Sequence, residues 1–152
     1  MANKPLPCAL NFNNMSDNTL QRRERLRSLK AIRRMFGEGK SGFVYPFRFA
    51  YYVSHRGEEN SLLENDKNFS GIEIMFSVPK KFHKRANKRN LLKRRSREAY
   101  RLNECRDALR AKLSEQGSTI DMALIYSTKE IHSYKTISNA VQRILEQICE
   151  GL

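Results

Sequence analysis

Residues 80–101 read KKFHKRANKRNLLKRRSREAYR, and where this stretch sits decides how the rest of the chain is arranged. Ten of the eighteen residues from Lys80 to Arg97 are Lys or Arg, and no acid appears before Glu98. Exposed helix surfaces ordinarily mix signs, because like charges three or four positions apart repel by about the same few tenths of a kcal/mol that opposite charges gain. The neutralising partner therefore has to come from outside the stretch. Wound at about 100° per residue, the segment places Leu91, Leu92, Ala99, Leu102, Leu109 and Leu113 on one arc, which predicts a core-facing side. Asn90, Lys93, Arg94, Arg97 and Arg101 fall on the far side at helical-turn spacing, with Arg89 at their edge. Arg95 and Arg106 project into the apolar arc, where they either snorkel or meet a carboxylate. Three or four such cations would make an ordinary solvated face. Ten without an acid point to phosphate, bound by counterion release and direct contacts, and so to nucleic acid.

The run SVPKKFHKRANKRNLLKRRSREAYR resembles the signature of the bacterial ribonuclease P protein component. Ser77, Val78, Lys80, Lys81, Arg89, Asn90, Lys93, Arg94, Arg97, Glu98, Ala99 and Tyr100 stand where that pattern wants them. Leu91 departs from it, since the family motif is commonly Arg-Asn-Arg, and this moves the expected contact to Lys88 or Arg95. The similarity continues in RERLRSLKAIRRMFGEGKS and in DMALIYSTKEIHSYKTISNAVQRIL, so that it covers about residues 20–150.

Composition sets the outer limits. A chain of 152 residues with 39% hydrophobic content fits one domain with a tail. A net charge of +13 biases it towards an anionic partner. A membrane surface would share that preference, but neither an amphipathic helix with bulky apolar residues beside the lysines nor a lipidation signal is present. No apolar run approaches the roughly 18 to 20 residues of a membrane span, and LPCAL after Lys4 is too short and proline-broken for a secretory signal. Cys8, Cys105 and Cys149 are odd in number and far apart, which fits a reducing cytoplasm and small buried hydrophobes better than disulfides or zinc.

Taken in order, residues 1–19 predict a disordered tail. A first helix is expected from Asn18 or Thr19 to Phe36, with Leu26, Leu29, Ile32 or Arg33, and Phe36 inward and Gly37 and Gly39 as the stop. Its outer face is a second basic surface, from Arg22 to Arg34. From Gly42 the period is two, and Pro46 marks an edge or a break between two short strands. Residues 54–69 read as a loop whose acids, Glu58, Glu59, Glu64 and Asp66, fit no EF-hand spacing. A strand over 71–78 then leads into the basic segment, whose helix is expected to run to about Gln116 and stop at Gly117. A buried strand over 119–126 and a helix over 134–149 close the domain.

The order α-β-β-β-α-β-α predicts an α/β (α+β) two-layer sandwich with a small mixed sheet. The resemblance adds a left-handed β-α-β crossover around the basic helix, against the general right-handed rule. It also implies the function of a ribonuclease P subunit, one copy per catalytic RNA, assisting removal of the 5′ leader from precursor tRNA. In that role Lys88, Arg89, Asn90, Lys93, Arg94, Arg97 and Arg101 dock on the catalytic RNA. Phe36 and some of Phe47, Phe49, Tyr51 and Tyr52, with Arg48, Lys80 or Lys81 nearby, line the leader cleft; the alternative is that the strand aromatics are all core or sheet-surface packing. Mg²⁺ and the chemistry belong to the RNA and substrate. His55, His83 and His132 lack the neighbours of a catalytic or metal constellation, and no paired carboxylates suit a two-metal nuclease. A structural, ribosomal-type RNA-binding protein is the main alternative; a helix-turn-helix DNA reader fits less well because a strand precedes the long basic helix.

Overall fold

The computed structural model describes residues 20–55 and 71–152, so the tail expected over 1–19 and nearly all of the polar loop expected over 54–69 lie outside the described residues. The architecture follows from how four strands pair. Strand β1 (Lys40–Val44) and strand β2 (Phe47–His55) form an antiparallel hairpin around Tyr45 and Pro46, joined by a cis peptide bond. Proline has no N–H to give the ladder, and the strand expected from Gly42 accordingly breaks there. β2 also pairs antiparallel with β4 (Ser118–Tyr126), and β4 pairs parallel with β3 (Ile72–Ser77). The sheet is therefore mixed, in the order β1-β2-β4-β3.

Parallel neighbours need a long connection. Between β3 and β4 it consists of helix α2 (Ala86–Arg101) and helix α3 (Glu104–Gln116). The single long helix expected here is broken at Leu102 and Asn103. The reason is local: Asn103 is extended and its side chain accepts a 2.9 Å hydrogen bond from the Cys105 N–H, capping a new helix whose first turn carries Glu104 and Asp107. The break turns the apolar arc, leaving Leu102 49% exposed and Tyr100 fully buried. α3 ends as expected at Gly117, which is left-handed at φ 62°.

Alternation along the strands separates two faces. One carries Phe47, Phe49 and Tyr51 of β2, Ile72 and Ile74 of β3, and Ile120, Met122, Leu124 and Tyr126 of β4. Against it pack Leu92, Ala99 and Tyr100 of α2, Leu109 and Leu113 of α3, and Ile137, Val141, Ile144, Leu145 and Ile148 of helix α4 (Tyr134–Glu150). At about 1.5–3 kcal/mol for each large side chain taken from water, this layer is the main source of stability. Cys105 and Cys149 pack at its margin.

Among the described residues one helix crosses the other face, α1 (Leu29–Glu38), whose Met35 sits on Ala50 and Ala123 together with Leu26. α1 is shorter than expected, starting where the Ser28 hydroxyl accepts from the Ala31 N–H. The chain before it makes a 3₁₀ turn at Arg22–Glu24 and then runs beside β3, where the Leu26 N–H donates to the Ile74 carbonyl at 3.0 Å. Glu24 explains the difference. It is buried and accepts two hydrogen bonds from Arg106, at 2.9 and 2.7 Å, while Arg110 pairs with the same carboxylate. Arg106, one of the two cations that spoiled the apolar arc, thus meets a carboxylate inside the fold.

Candidate nucleic-acid interface

The loop entering α2 is fixed before the helix begins. His83 is buried, its Nε2 donates to the Thr128 carbonyl at 2.8 Å, and its N–H, with that of Phe82, closes a turn on the Pro79 carbonyl. Arg89 donates to the carbonyls of His83 (3.0 Å) and Lys84 (2.6 Å), tying the first turn of α2 back to that loop. The inner side of α2 is Leu92, Ser96, Ala99 and Tyr100. Ser96 is satisfied there by donating to the Leu92 carbonyl at 2.8 Å.

The outer side carries the cations. Lys88, Asn90, Arg94 and Arg97 are exposed, and Lys93 is half-exposed. The side chains of Asn90, Lys93 and Arg94 make no hydrogen bond or ion pair to any described residue, whereas Arg97 only reaches back to the Lys93 carbonyl at 3.3 Å. Arg101 differs, because it is paired with Glu98 at 2.7 Å. Of the two residues expected to replace the motif's third cation, Arg95 is half-buried and donates to the His132 carbonyl at 2.6 Å, which leaves Lys88 facing solvent. Leu91 is half-buried.

The start of α2 adds to this potential. Its N-cap, Arg85, makes no side-chain cap bond, and its first turn holds no acid. Lys84, Arg85, Lys88 and Arg89 therefore surround the positive end of the helix dipole, an arrangement costing about 0.3–1 kcal/mol per charge until an anion arrives.

A second surface lies beside α1 on the open face of the sheet. Arg34 fixes how α1 is rotated: its guanidinium donates to the Ser54 hydroxyl at 3.2 Å, lies 4.6 Å from the centre of the Tyr52 ring, and is 3.6 Å from the Asp121 carboxylate. At about 100° per residue, Leu29, Ile32 and Phe36 then flank the opposite side of the helix. On that side the strand register brings Phe43, Arg48, Ile125 and Ser77 into one row across all four strands. Row and helix flank make a groove with an apolar wall, in which Leu29 is 61% and Phe36 51% exposed, and a floor holding the exposed Phe43 and Arg48. Lys80 and Lys81, both exposed, follow Ser77 on the route to α2.

The structure separates the residues of the cleft expected from the sequence. Phe36, Arg48, Lys80 and Lys81 are exposed at or beside it. Phe47, Phe49 and Tyr51 are buried on the opposite face, under α2 and α4, and are core. Tyr52 is on the open face but beneath Arg34, on the far side of α1. Phe43, Leu29 and Ile125, not among the residues expected from the sequence, also lie along the groove. The signal for Phe43 was present: a two-residue connection at Tyr45 and Pro46 makes Phe43 the cross-strand partner of Arg48.

The Tyr52 side of α1 is chemically different. Glu73 and Asp121 are register partners there. Burial, and then the Asp121 charge, push the Glu73 carboxyl up to about 7, and burial raises Asp121 although Arg34 opposes it. Two carboxylates with raised proton affinity and a guanidinium at 3.6 Å make a poor cation cradle. No helix among the described residues is long and apolar enough to cross a membrane.

Comparison with known proteins finds relatives along most of the chain. The family model described as Ribonuclease P matches residues 20–149. The chain is similar to the ribonuclease P protein components of two strains of Porphyromonas gingivalis, each 36% identical over 131 residues that cover 85% of this chain and 85% of the relative. Its fold is similar to that of the Staphylococcus aureus RNase P protein, at a TM-score of 0.54, 19% identity, and coverage of 82% of this chain and 94% of that one. With a family match running from before α1 to the last turn of α4, and relatives of that identity along most of the chain, the protein belongs to the ribonuclease P protein component family.

Proposed function

We propose that the chain is the protein subunit of ribonuclease P, and that it works by laying the outer face of α2 on the catalytic RNA while the α1 groove holds the single-stranded 5′ leader of precursor tRNA. The observation that carries this is the outer face of α2: Asn90, Lys93 and Arg94 are not spent on described residues, and the helix start is acid-free. Lys88, Arg89, Asn90, Lys93, Arg94, Arg97 and Arg101 set position by phosphate contacts more than by base readout. In the groove, Phe36 and Phe43 offer stacking surfaces, and Arg48, Lys80 and Lys81 neutralise the leader's phosphates.

Catalysis and Mg²⁺ are assigned to the RNA subunit and the substrate. The protein's part is to bring two polyanions together and lower their repulsion, which strengthens metal binding at their junction. One protein per catalytic RNA, acting in the cytoplasm, completes the proposal. A purely structural RNA-binding role is disfavoured by the family assignment.

The test is reconstitution. The purified chain added to bacterial ribonuclease P RNA and precursor tRNA at low Mg²⁺ is expected to stimulate removal of the 5′ leader. The stimulation should be lost in R89A and R94A variants. Cleavage by the protein without RNA would overturn the proposal.

A further inference from the structure

The groove does not stop at Phe43. The Tyr45 ring lies 6.5 Å from the Phe43 ring at an interplanar angle of 63°, and His132 meets Tyr45 edge-on at 5.2 Å and 81°. The Tyr45 hydroxyl shares a 3.0 Å hydrogen bond with His132 Nε2 and contacts Thr128 Oγ1 at 3.3 Å and Glu130 Oε2 at 3.4 Å. The loop that holds Tyr45 is itself fixed. The His132 N–H donates to the Tyr126 hydroxyl at 3.1 Å, Tyr126 donates to the Glu130 carbonyl, and Arg95 of α2 donates to the His132 carbonyl. Yet Tyr45 is 52% exposed. A large ring held from its hydroxyl and one edge, with half its surface in water at the tip of an edge hairpin, has little remaining entropy to lose when something stacks on it.

We infer that Tyr45, braced by His132, is a stacking step for unpaired nucleotides of the 5′ leader that have passed beyond the groove. This rests on the groove's binding the leader. The occupant follows from continuity and charge. Phe43, beside Tyr45, is the cross-strand partner of the exposed Arg48 in the groove floor, so a strand tracking Arg48 leaves the sheet at Tyr45. The other end of the row, at Ser77, leads to the exposed Lys80 and Lys81. The step takes the leader to enter at the Ser77 end, beside these lysines, and to leave at the β1 end. The β1 end would receive the part of the leader farther from the tRNA body.

The experiment uses the holoenzyme, assembled from the full chain and its catalytic RNA, with two precursor tRNAs: one whose leader ends within the groove and one whose leader extends past it. In the wild type the longer leader should bind more tightly. Tyr45→Ala should lower the ratio of long- to short-leader affinity roughly 5- to 150-fold, the range expected for losing one base-on-aromatic stack. Tyr45→Phe keeps the ring and should retain most of the ratio. Equal weakening of both substrates would assign Tyr45 to folding or to the groove and overturn the step. So would an unchanged ratio, or weakened binding of the catalytic RNA alone. A wild-type chain that stimulates neither substrate would overturn the functional proposal and the step with it, and is distinguishable because the variants then play no part.

Discussion

The two faces of the sheet use similar side chains to opposite ends. On one, Phe47, Phe49 and Tyr51 are sealed beneath α2 and α4 and belong to a core that also includes α3. On the other, Phe43 and Arg48 come from the same hairpin but lie on the face where, among the described residues, α1 is the one helix, resting on Ala50 and Ala123 and leaving a row of the sheet open. What separates buried from exposed aromatics here is therefore how many helices cover a face, and not how aromatic the strand is. The small residues under α1 let it sit close, and its single width determines that a groove remains.

The sharpest way to break this comparison is to truncate one aromatic from each face. Phe47→Ala is expected to lower unfolding free energy by about 3–5 kcal/mol, because a fully buried ring leaves a cavity. Phe43→Ala, at an exposed site, should change it by no more than about 0.5 kcal/mol. Denaturant midpoints at constant slope would measure both, and equal losses would mean that the two faces are equally sealed.

A comparable effect is expected at the edge of β3, where Glu24 anchors the chain leading into α1. Glu24→Ala leaves Arg106 buried without its carboxylate and should cost about 3–5 kcal/mol. Adding Arg106→Met should recover much of that loss in a double-mutant cycle. If the single substitution is silent, the ion pair does not hold the segment.

A smaller effect than at Phe47 or Glu24 lies on the far side of α1, where the open face carries Glu73 beside Asp121. In the folded chain Glu73 takes up its proton at about 7 instead of the ordinary 4.5. Between those values the folded state keeps a proton that the unfolded chain has released, so this contribution to stability is present at pH 4.5 and below, declines as pH rises, and is gone above about 7. Glu73→Gln should therefore stabilise the protein at pH 8, by on the order of 1 kcal/mol once partial exposure is allowed for. It should do little at pH 5. Paired thermal melts at the two values check the sign.

Much of this was legible in the sequence, and what was missed has identifiable causes. The outer face of α2 could be read because seven cations and one acid in sixteen residues leave few other arrangements. Gly117, the strand that became β4 and the stripe of α4 were likewise set by local pattern. The phase of β2 was not: period two says that Phe47 and Arg48 face apart, but only the pairing with β1 and β4 says which faces the helices. The start of α1 was misplaced because Glu24 is drawn in by arginines more than eighty residues away, a contact with no local signature. The break after Arg101 is signalled by Asn103, a good N-cap residue, but is masked by apolar spacing that continues across it.

The account depends most on the outer face of α2 meeting RNA phosphates. The direct measurement is the affinity of the chain for ribonuclease P RNA across a salt series, for the wild type and for Arg94→Ala with Arg97→Ala. With about six to ten ionic contacts, wild-type affinity should fall roughly 10³- to 10⁵-fold between 50 and 200 mM salt. The double variant should lose about 1.4 to 1.8 from the slope of log affinity against log salt, with unfolding free energy unchanged. An unchanged slope, or a flat wild-type response, would contradict the account.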